Sequence, residues 1–384
     1  MKKSDERADV VIIGGGCVGV SAAYHLCRCG IKNVVVLEKD FLASGATGRC
    51  GGGMRQQWTT RGNITLARRS MEVFRNFKDE MGQDIEFIQG GYVLGAFTDE
   101  MVSDFEKNIK LQNSLGVPSR FVTTSELKPI VPLLSTDGML GAAYCATDGK
   151  SNPFLFVKGC AERAVKMGCR IRKKTRVTGL KTERNKITTV ITDKGKIDAD
   201  WVINCAGARA AEIAAMAGIN VPITPYRHQA LVSEPVKPCF DPMFINLRDS
   251  IYFSQSAHGT FIMGQTDRHE TPGYNYNEAW PFEVEVARKF IKHVPSLENI
   301  KIVRHWAGHY AITPDRQPII GLFSDYENFL IASGFSGHGF MISPATGIIL
   351  AELVTKGSVD LVDINEFSIE RFKGAHYTVE GNVV

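Results

Sequence analysis

The tightest constraint on this chain is a glycine pattern, Gly14-x-Gly16-x-x-Gly19, set between an apolar run and an apolar helical repeat. Ala8–Ile13 reads as a buried parallel strand, Val18–Cys29 carries helical spacing, and Val34–Leu37 reads as a second buried strand. Together they form a βαβ unit of about 30 residues. The first glycine turns the chain, the second lets backbone approach a pyrophosphate, and the third lets helix and strand pack closely. The helix N-terminus turns free N–H groups and partial positive charge towards phosphates. Glu38 ends the second strand 19 residues beyond Gly19, where a carboxylate accepts both hydroxyls of a ribose and disfavours a 2′-phosphate. The unit predicts a bound ADP moiety and leaves NAD and FAD open.

A second glycine loop narrows the choice. Phe329–Ser333 reads as a strand that runs into Gly334-Phe335-Ser336-Gly337-His338-Gly339-Phe340-Met341, and an amphipathic helix is expected over Ser343–Val354. A glycine loop at a helix start, hundreds of residues from the first, suits an extended cofactor. Its dipole would stabilise negative charge on the pyrimidine edge of a reduced flavin. The 37 glycines of the 384-residue chain cluster in these loops and in Gly45–Gly53.

The rest of the composition mainly excludes. A net charge of +4 offers no footprint for a polyanion such as nucleic acid. The nine cysteines are odd in number and contain no C-x-x-C pair, so no metal site is expected and a reducing, cytoplasmic setting is. The charged segment Met1–Asp9 and the short apolar run after it do not read as a signal peptide, and no integral membrane segment is expected.

Along the chain, α/β segments alternate with β-rich ones. Helices are expected at Asn63–Met81, Asp99–Leu115, Pro153–Met167, Ala210–Ala217 and Glu283–Val294, with strands over Asp84–Phe97 and through Pro222–Phe261, a sheet exposed on one face. Two discontinuous domains follow. One takes residues 1–83, 146–221 and 305–384, and the other takes 84–145 and 222–304. The fold class is α/β plus α+β.

Beyond these patterns, the chain resembles the amine-oxidising flavoproteins that include D-amino-acid oxidase, glycine oxidase and sarcosine oxidase. The resemblance covers nearly the whole chain and is carried by Gly14–Gly19, Leu37-Glu38-Lys39, Cys205-Ala206-Gly207, Tyr310–Asp315 and the Gly334–Met341 loop. Ser44–Gln57, Thr147–Phe154, Tyr226–Gln229 and Trp306-Ala307-Gly308 look most like the β subunits of multi-subunit L-proline dehydrogenase and sarcosine oxidase. The resemblance implies that the first of the two domains is a Rossmann-like FAD-binding domain and the second a substrate domain on a large mixed β-sheet. It implies FAD contacts from Gly14, Gly16, Cys17, Val18 and Gly19, from Glu38 and Lys39, and from Gly45, Ala46, Thr47, Arg49, Cys50, Gly51, Gly53 and Met54. It adds Val177, Ala206, Gly207, Gly308, Gly334, Gly337, His338, Gly339, Phe340 and Met341.

Departures from the family pattern sharpen the expectation. Gly308 stands where monomeric sarcosine oxidases attach FAD through a cysteine, so FAD is expected to be non-covalent. Ile262 stands where those enzymes carry an oxygen-activating lysine, which favours a dehydrogenase. Pro153 falls near the histidine that attaches FMN in heterotetrameric relatives, so an FMN at a subunit interface would be non-covalent and need a partner chain. Arg55 matches the sarcosine-oxidase arginine that holds the substrate carboxylate, whereas the lysine assisting it is Met341 here.

The expected reaction is oxidation of a small amino acid, L-proline- or sarcosine-like, by hydride transfer from the carbon next to nitrogen to flavin N5. Arg55 would clamp the carboxylate. Tyr252 would donate to it, His228 would face the pocket or take the ammonium proton, and Tyr310 and His338 would sit against the flavin. The resemblance implies, as partners, the other subunits of a hetero-oligomeric dehydrogenase. Three alternatives stay open: an oxidase using oxygen directly, a flavin-holding electron-transfer or scaffold subunit, and an NAD-dependent dehydrogenase that leaves the second glycine loop without a role.

Overall fold

The computed structural model describes residues 6–374 and 377–383, so most of the charged N-terminal segment lies outside the described residues. The opening βαβ unit is formed by β1 (Arg7–Ile13), α1 (Cys17–Arg28) and β2 (Val34–Leu37). After β3 (Gly53–Met54) come α2 (Arg61–Arg75) and α3 (Phe77–Met81), so the single helix expected over 63–81 breaks at Asn76. Next are β4 (Tyr92–Ala96), α4 (Asp99–Ser114), β5 (Arg120–Val122), α5 (Thr124–Ile130), β6 (Gly141–Cys145) and β7 (Gly149–Lys150). The strand expected over Asp84–Phe97 is therefore confined to Tyr92–Ala96.

The middle of the chain supplies α6 (Pro153–Lys166), β8 (Arg170–Arg172), β9 (Val177–Glu183), β10 (Lys186–Thr192), β11 (Gly195–Asn204) and α7 (Ala210–Ala215). A β-rich stretch follows: β12 (Thr224–Pro235), β13 (Met243–Asn246), β14 (Ile251–Gln255) and β15 (Thr260–Gln265), then α8 (Trp280–His293) and β16 (Ile302–Ile312). β17 (Ile319–Leu322), β18 (Phe329–Ser333) and α9 (Gly339–Lys356) complete the main elements.

These elements build two large sheets. In the first, the order is β17-β18-β11-β1-β2-β8, parallel from β18 to β8, with β17 antiparallel at the edge and β9 and β10 added as a meander on β11. Its inner strands bury both faces, which is why β1 and β2 read as continuous apolar runs. Helices α1, α6 and α9 pack on one face and α7 on the other.

The second sheet is mixed, in the order β16-β12-β15-β14-β13-β4-β6-β5. Alternation along β4 sends Val93 into a core with Phe244, Phe253 and Phe290 of α8, and Tyr92 and Leu94 to the opposite face with Phe105 of α4. Neither face is open: β13 is buried throughout, which corrects the expectation of a sheet exposed on one side. The face away from α8 is covered partly by α4 and partly by the 45–53 loop. Strand β16 is a second correction. Assigned to the cofactor domain from residue 305, it pairs along its length with β12 of the second sheet, so the chain returns to the first sheet only after Ile312.

Helix α9 also differs from expectation. It starts at Gly339 and is not amphipathic, because it packs against both α1 and α2. A Cβ on Gly347 would lie 2.2 Å from Ser21 Oγ, so the α1 and α9 backbones approach closely. Among the described residues it is the one helix long and apolar enough to cross a membrane, and 56% of that window is buried inside the fold.

Candidate active site

A cleft of about 840 Å³ runs between the two sheets, and the glycine loops converge on it. At one end lies the start of α1. Gly14 has φ +116°, and a Cβ on Gly19 would lie 2.0 Å from the Gly14 carbonyl oxygen, so helix and strand approach as the motif requires. The N-cap is Gly16, the first turn holds no acidic residue, and the Thr47 hydroxyl accepts from the Cys17 N–H at 3.1 Å. Glu38 accepts from the Gly15 N–H at 2.9 Å and the Asp40 N–H at 2.8 Å. A carboxylate has about four acceptor sites, so capacity for ribose hydroxyls remains.

The start of α9 faces the same cleft. Its N-cap, His338, makes no side-chain cap and no acid occupies the first turn. The N–H groups at Gly339, Phe340 and Met341 therefore present an open positive helix end. Two such ends, a carboxylate with acceptor capacity to spare and a long channel between them fit a dinucleotide with a ring system at the α9 end.

Most expected cofactor contacts line the cleft, from Gly14, Gly16, Cys17, Val18, Glu38 and Lys39 through Gly45, Ala46, Thr47, Arg49, Cys50, Gly51 and Gly53. So do Val177, Ala206, Gly207, Gly308, Gly337, His338, Gly339, Phe340 and Met341. Three do not. Gly19 serves packing, Met54 is fully buried beside Ser151 Oγ, and a Cβ on Gly334 would meet Thr313 and Ile223. Their glycine or apolar character answers to neighbouring protein.

At the other end, β12, β14 and β16 bring His228, Tyr252 and Tyr310 onto one face. The His228 and Tyr310 rings stack with centroids 4.0 Å apart and planes 7° apart. His228 Nε2 lies 3.1 Å from Tyr252 Oη. Burial pushes the imidazole down to about 3, so it is neutral and a poor acceptor for an ammonium proton. The contacts His228 makes are with the two tyrosines, one on each side of its ring. Burial also raises the Tyr252 and Tyr310 phenols above their ordinary value, leaving both as hydroxyl donors.

Arg55 sits beneath them, 4% exposed and with its guanidinium over the Trp58 ring at 4.0 Å. Its Nη2 donates to the Asn382 carbonyl, while Nε and Nη1 have no hydrogen-bond partner among the described residues. Burial works against this charge, countered first by Tyr92, then Glu380 and Asp148. Asp148 is itself raised to about 6 by burial, although it accepts from Gln56 N–H at 2.9 Å and Gln57 Nε2 at 3.1 Å. His338 packs on Trp58 at 4.5 Å and is lowered to about 3, first by burial and then by Arg55.

Sequence reasoning missed several of these residues. Tyr92, Trp58 and Asn382 gave no local signal. Asp148 stands inside the Thr147–Phe154 motif, so its place there was the one available clue. Tyr274 and Tyr276 close the cleft's outer wall, with Arg209 over Tyr274 at 4.1 Å and Arg49 over Tyr276 at 4.9 Å.

Comparison with known proteins agrees with this geometry. Residues 9–353 match the FAD dependent oxidoreductase (DAO) family, and the chain belongs to it. It is 40% identical to the crystal structure of L-proline dehydrogenase from P. horikoshii, with a TM-score of 0.92 over 96% of this chain and 98% of that one. Sarcosine oxidase subunit beta of Rhodobacter capsulatus is 29% identical over 98% of this chain and 91% of its own length. Glycine oxidase from Geobacillus kaustophilus, at 24% identity and a TM-score of 0.87, shares the fold. The chain is thus an FAD-dependent oxidoreductase, built as the α/β plus α+β pair of domains described above.

Proposed function

We propose that this chain dehydrogenates a small α-amino acid of the L-proline or sarcosine type, with a non-covalently held FAD as acceptor. The observation that carries this reading is Arg55: a buried guanidinium with two unpartnered nitrogens, at a cleft wall lined by tyrosines. A buried cation with free donors calls for an anion, and its planar fork suits a carboxylate. When bound, FAD, held by the glycine loops that line the cleft, would supply the acceptor for a hydride from the carbon next to nitrogen. The protein's own part is to place that carbon and keep the pocket dry. Arg55 holds the carboxylate, the Tyr252 and Tyr310 hydroxyls donate alongside, and Met243 and Ile245 supply apolar wall. The ammonium proton leaves to solvent, since burial makes His228 a weak base.

Two observations support the finer points. Gly308 offers no side chain to which a flavin could be attached, and a Cβ there would lie 3.0 Å from Arg49 Cβ, which supports a non-covalently held FAD. Ile262 lies by the glycine loop, 3.8 Å from where a Gly51 Cβ would be, and brings no cation there, which favours a dehydrogenase over an oxidase.

The chain further reads as the catalytic β-type subunit of a hetero-oligomer. Phe154, next to Pro153 at the start of α6, is 50% exposed and Phe41 is 55% exposed, apolar surface suited to a partner chain and an interfacial FMN.

The test is an anaerobic titration of the purified protein with L-proline, sarcosine, glycine and D-alanine, followed by flavin absorbance. Bleaching by L-proline or sarcosine is expected. If none of the four bleaches the flavin, with or without partner subunits, the reading falls.

A further inference from the structure

Arg55 is held from a distant part of the chain. Residues 377–383 run back across the segment 55–63, and their polar groups are spent on it. Glu380, wholly buried, accepts from Thr59 N–H at 3.0 Å, Thr59 Oγ1 at 2.7 Å, Thr60 Oγ1 at 3.0 Å and Asn63 Nδ2 at 3.1 Å. Its own N–H donates to the Asp315 carbonyl at 3.0 Å. Asn382, 5% exposed, donates from Nδ2 to the Gln57 carbonyl at 3.1 Å and from its N–H to Glu380 Oε1 at 3.2 Å. Its carbonyl then accepts from Arg55 Nη2, and Val383 reaches the cleft wall.

The consequence follows from counting donors. A guanidinium has five N–H groups. Trp58 covers one face of this one, and the Asn382 carbonyl takes an Nη2 proton. The rest of the fork, Nε and Nη1, is left with a single orientation. We infer that residues 380–383 form the back of the carboxylate clamp, Asn382 acting as a positioning residue that fixes Arg55 while Glu380 anchors the segment. This rests on the reading of Arg55 as the carboxylate clamp. A segment that did no more than cover the surface would not need a buried carboxylate with five donors, nor a carbonyl spent on the buried guanidinium of the substrate end.

The probe is tetrahydrofuran-2-carboxylate, an L-proline analogue whose ring oxygen cannot be oxidised to an imine. Its binding is followed by perturbation of the flavin spectrum in the FAD-loaded protein. Asn382→Ala removes the grip on Gln57, and Glu380→Ala releases the whole segment. Each is expected to weaken the probe about 10-fold, the scale of one charge-assisted hydrogen bond. Glu380→Gln, which keeps an acceptor oxygen for Thr59 and can donate to the Thr60 hydroxyl, should restore part of the loss. FAD content and melting temperature identify any variant that has merely unfolded, and Asn382→Ala is the milder of the two.

The same substitutions are then made in an Arg55→Ala background, where they should cost nothing further. If they weaken the probe equally there, or leave it unchanged in the parent protein, the positioning role is overturned while the clamp stands. If Arg55→Ala alone leaves probe affinity unchanged, the clamp itself is overturned and the role of the segment falls with it.

Discussion

A Cβ on Gly53 would lie 1.8 Å from the hydroxyl oxygen of Tyr92. Gly53 cannot retreat, because β3 pairs it with Lys150 of β7. Gly53→Ala must therefore push the Tyr92 ring away from the substrate end of the cleft. Overpacking of this kind costs about 1–3 kcal/mol. The expected result is a lower melting temperature and roughly 10-fold weaker amino-acid binding, a larger effect than on FAD because the clash falls on Tyr92. Loss of FAD at unchanged amino-acid affinity would contradict the placement.

Arg55→Lys should behave as a loss rather than a conservative change. An ammonium is a point charge without the planar fork, and it would be held neither by Trp58 nor in the bidentate geometry a carboxylate wants. Amino-acid affinity measured by flavin bleaching should fall about 10- to 100-fold, the range for hydrogen bonds to a charged group. Affinity within twofold of the parent would be incompatible with a bidentate clamp.

Asp148 gives the protein a pH signature. Its folded value, about 6, lies above the unfolded carboxyl range, so the folded state binds the proton more tightly. The sign is therefore the reverse of a salt-bridged aspartate. Holding the ionised form costs stability fully above pH 6, and that cost is relieved as pH falls from 6 towards 4, by roughly 3 kcal/mol at most. In Asp148→Asn this component vanishes. Thermal melts of both proteins between pH 4 and 7 should show the variant gaining relative to the parent as pH rises. Parallel curves would refute the assignment.

His228 should contribute rigidity and no titration. Lowered to about 3, it stays neutral across the working range, as does His338. His228→Asn is expected to slow anaerobic flavin reduction by loosening Tyr252 and Tyr310, while leaving the midpoint of the pH–rate profile between pH 5 and 9 in place. A shift of that midpoint by a full unit would restore the base role.

The flavin should come away without bond cleavage. Acid precipitation of the protein is expected to leave all of the yellow chromophore in the supernatant. Colour retained in the pellet would point to a covalent link from another cleft residue, of which Cys50 is the nearest in kind. Its thiol is pushed up to about 12 by burial, which keeps it an unreactive group.

What could be read in the sequence was whatever is written locally. The β1–α1–β2 unit, Glu38 and both glycine loops depend on spacing within a few residues, and they fall where expected. Arg55, His228, Tyr252, Tyr310 and His338 were accessible through family resemblance, and all of them line the one cleft. The residues that went unseen are those whose meaning is long-range. Tyr92 matters through Gly53 and Arg55, Asp148 through Gln56 and Gln57, and Asn382 through a guanidinium 327 positions away. Helix α9 was misjudged because a helix enclosed by α1 and α2 has no polar side to display.

The two helix starts that face the cleft belong to α1 and α9, and β11, which lies beside β1, comes from between them. During synthesis, residues 14–19 leave the ribosome more than 300 positions ahead of residues 334–341. Until the later loop emerges, the nascent chain has one wall of a cofactor channel and nothing opposite it. A chain that ends before α9 would lack the second wall and is expected to hold no flavin.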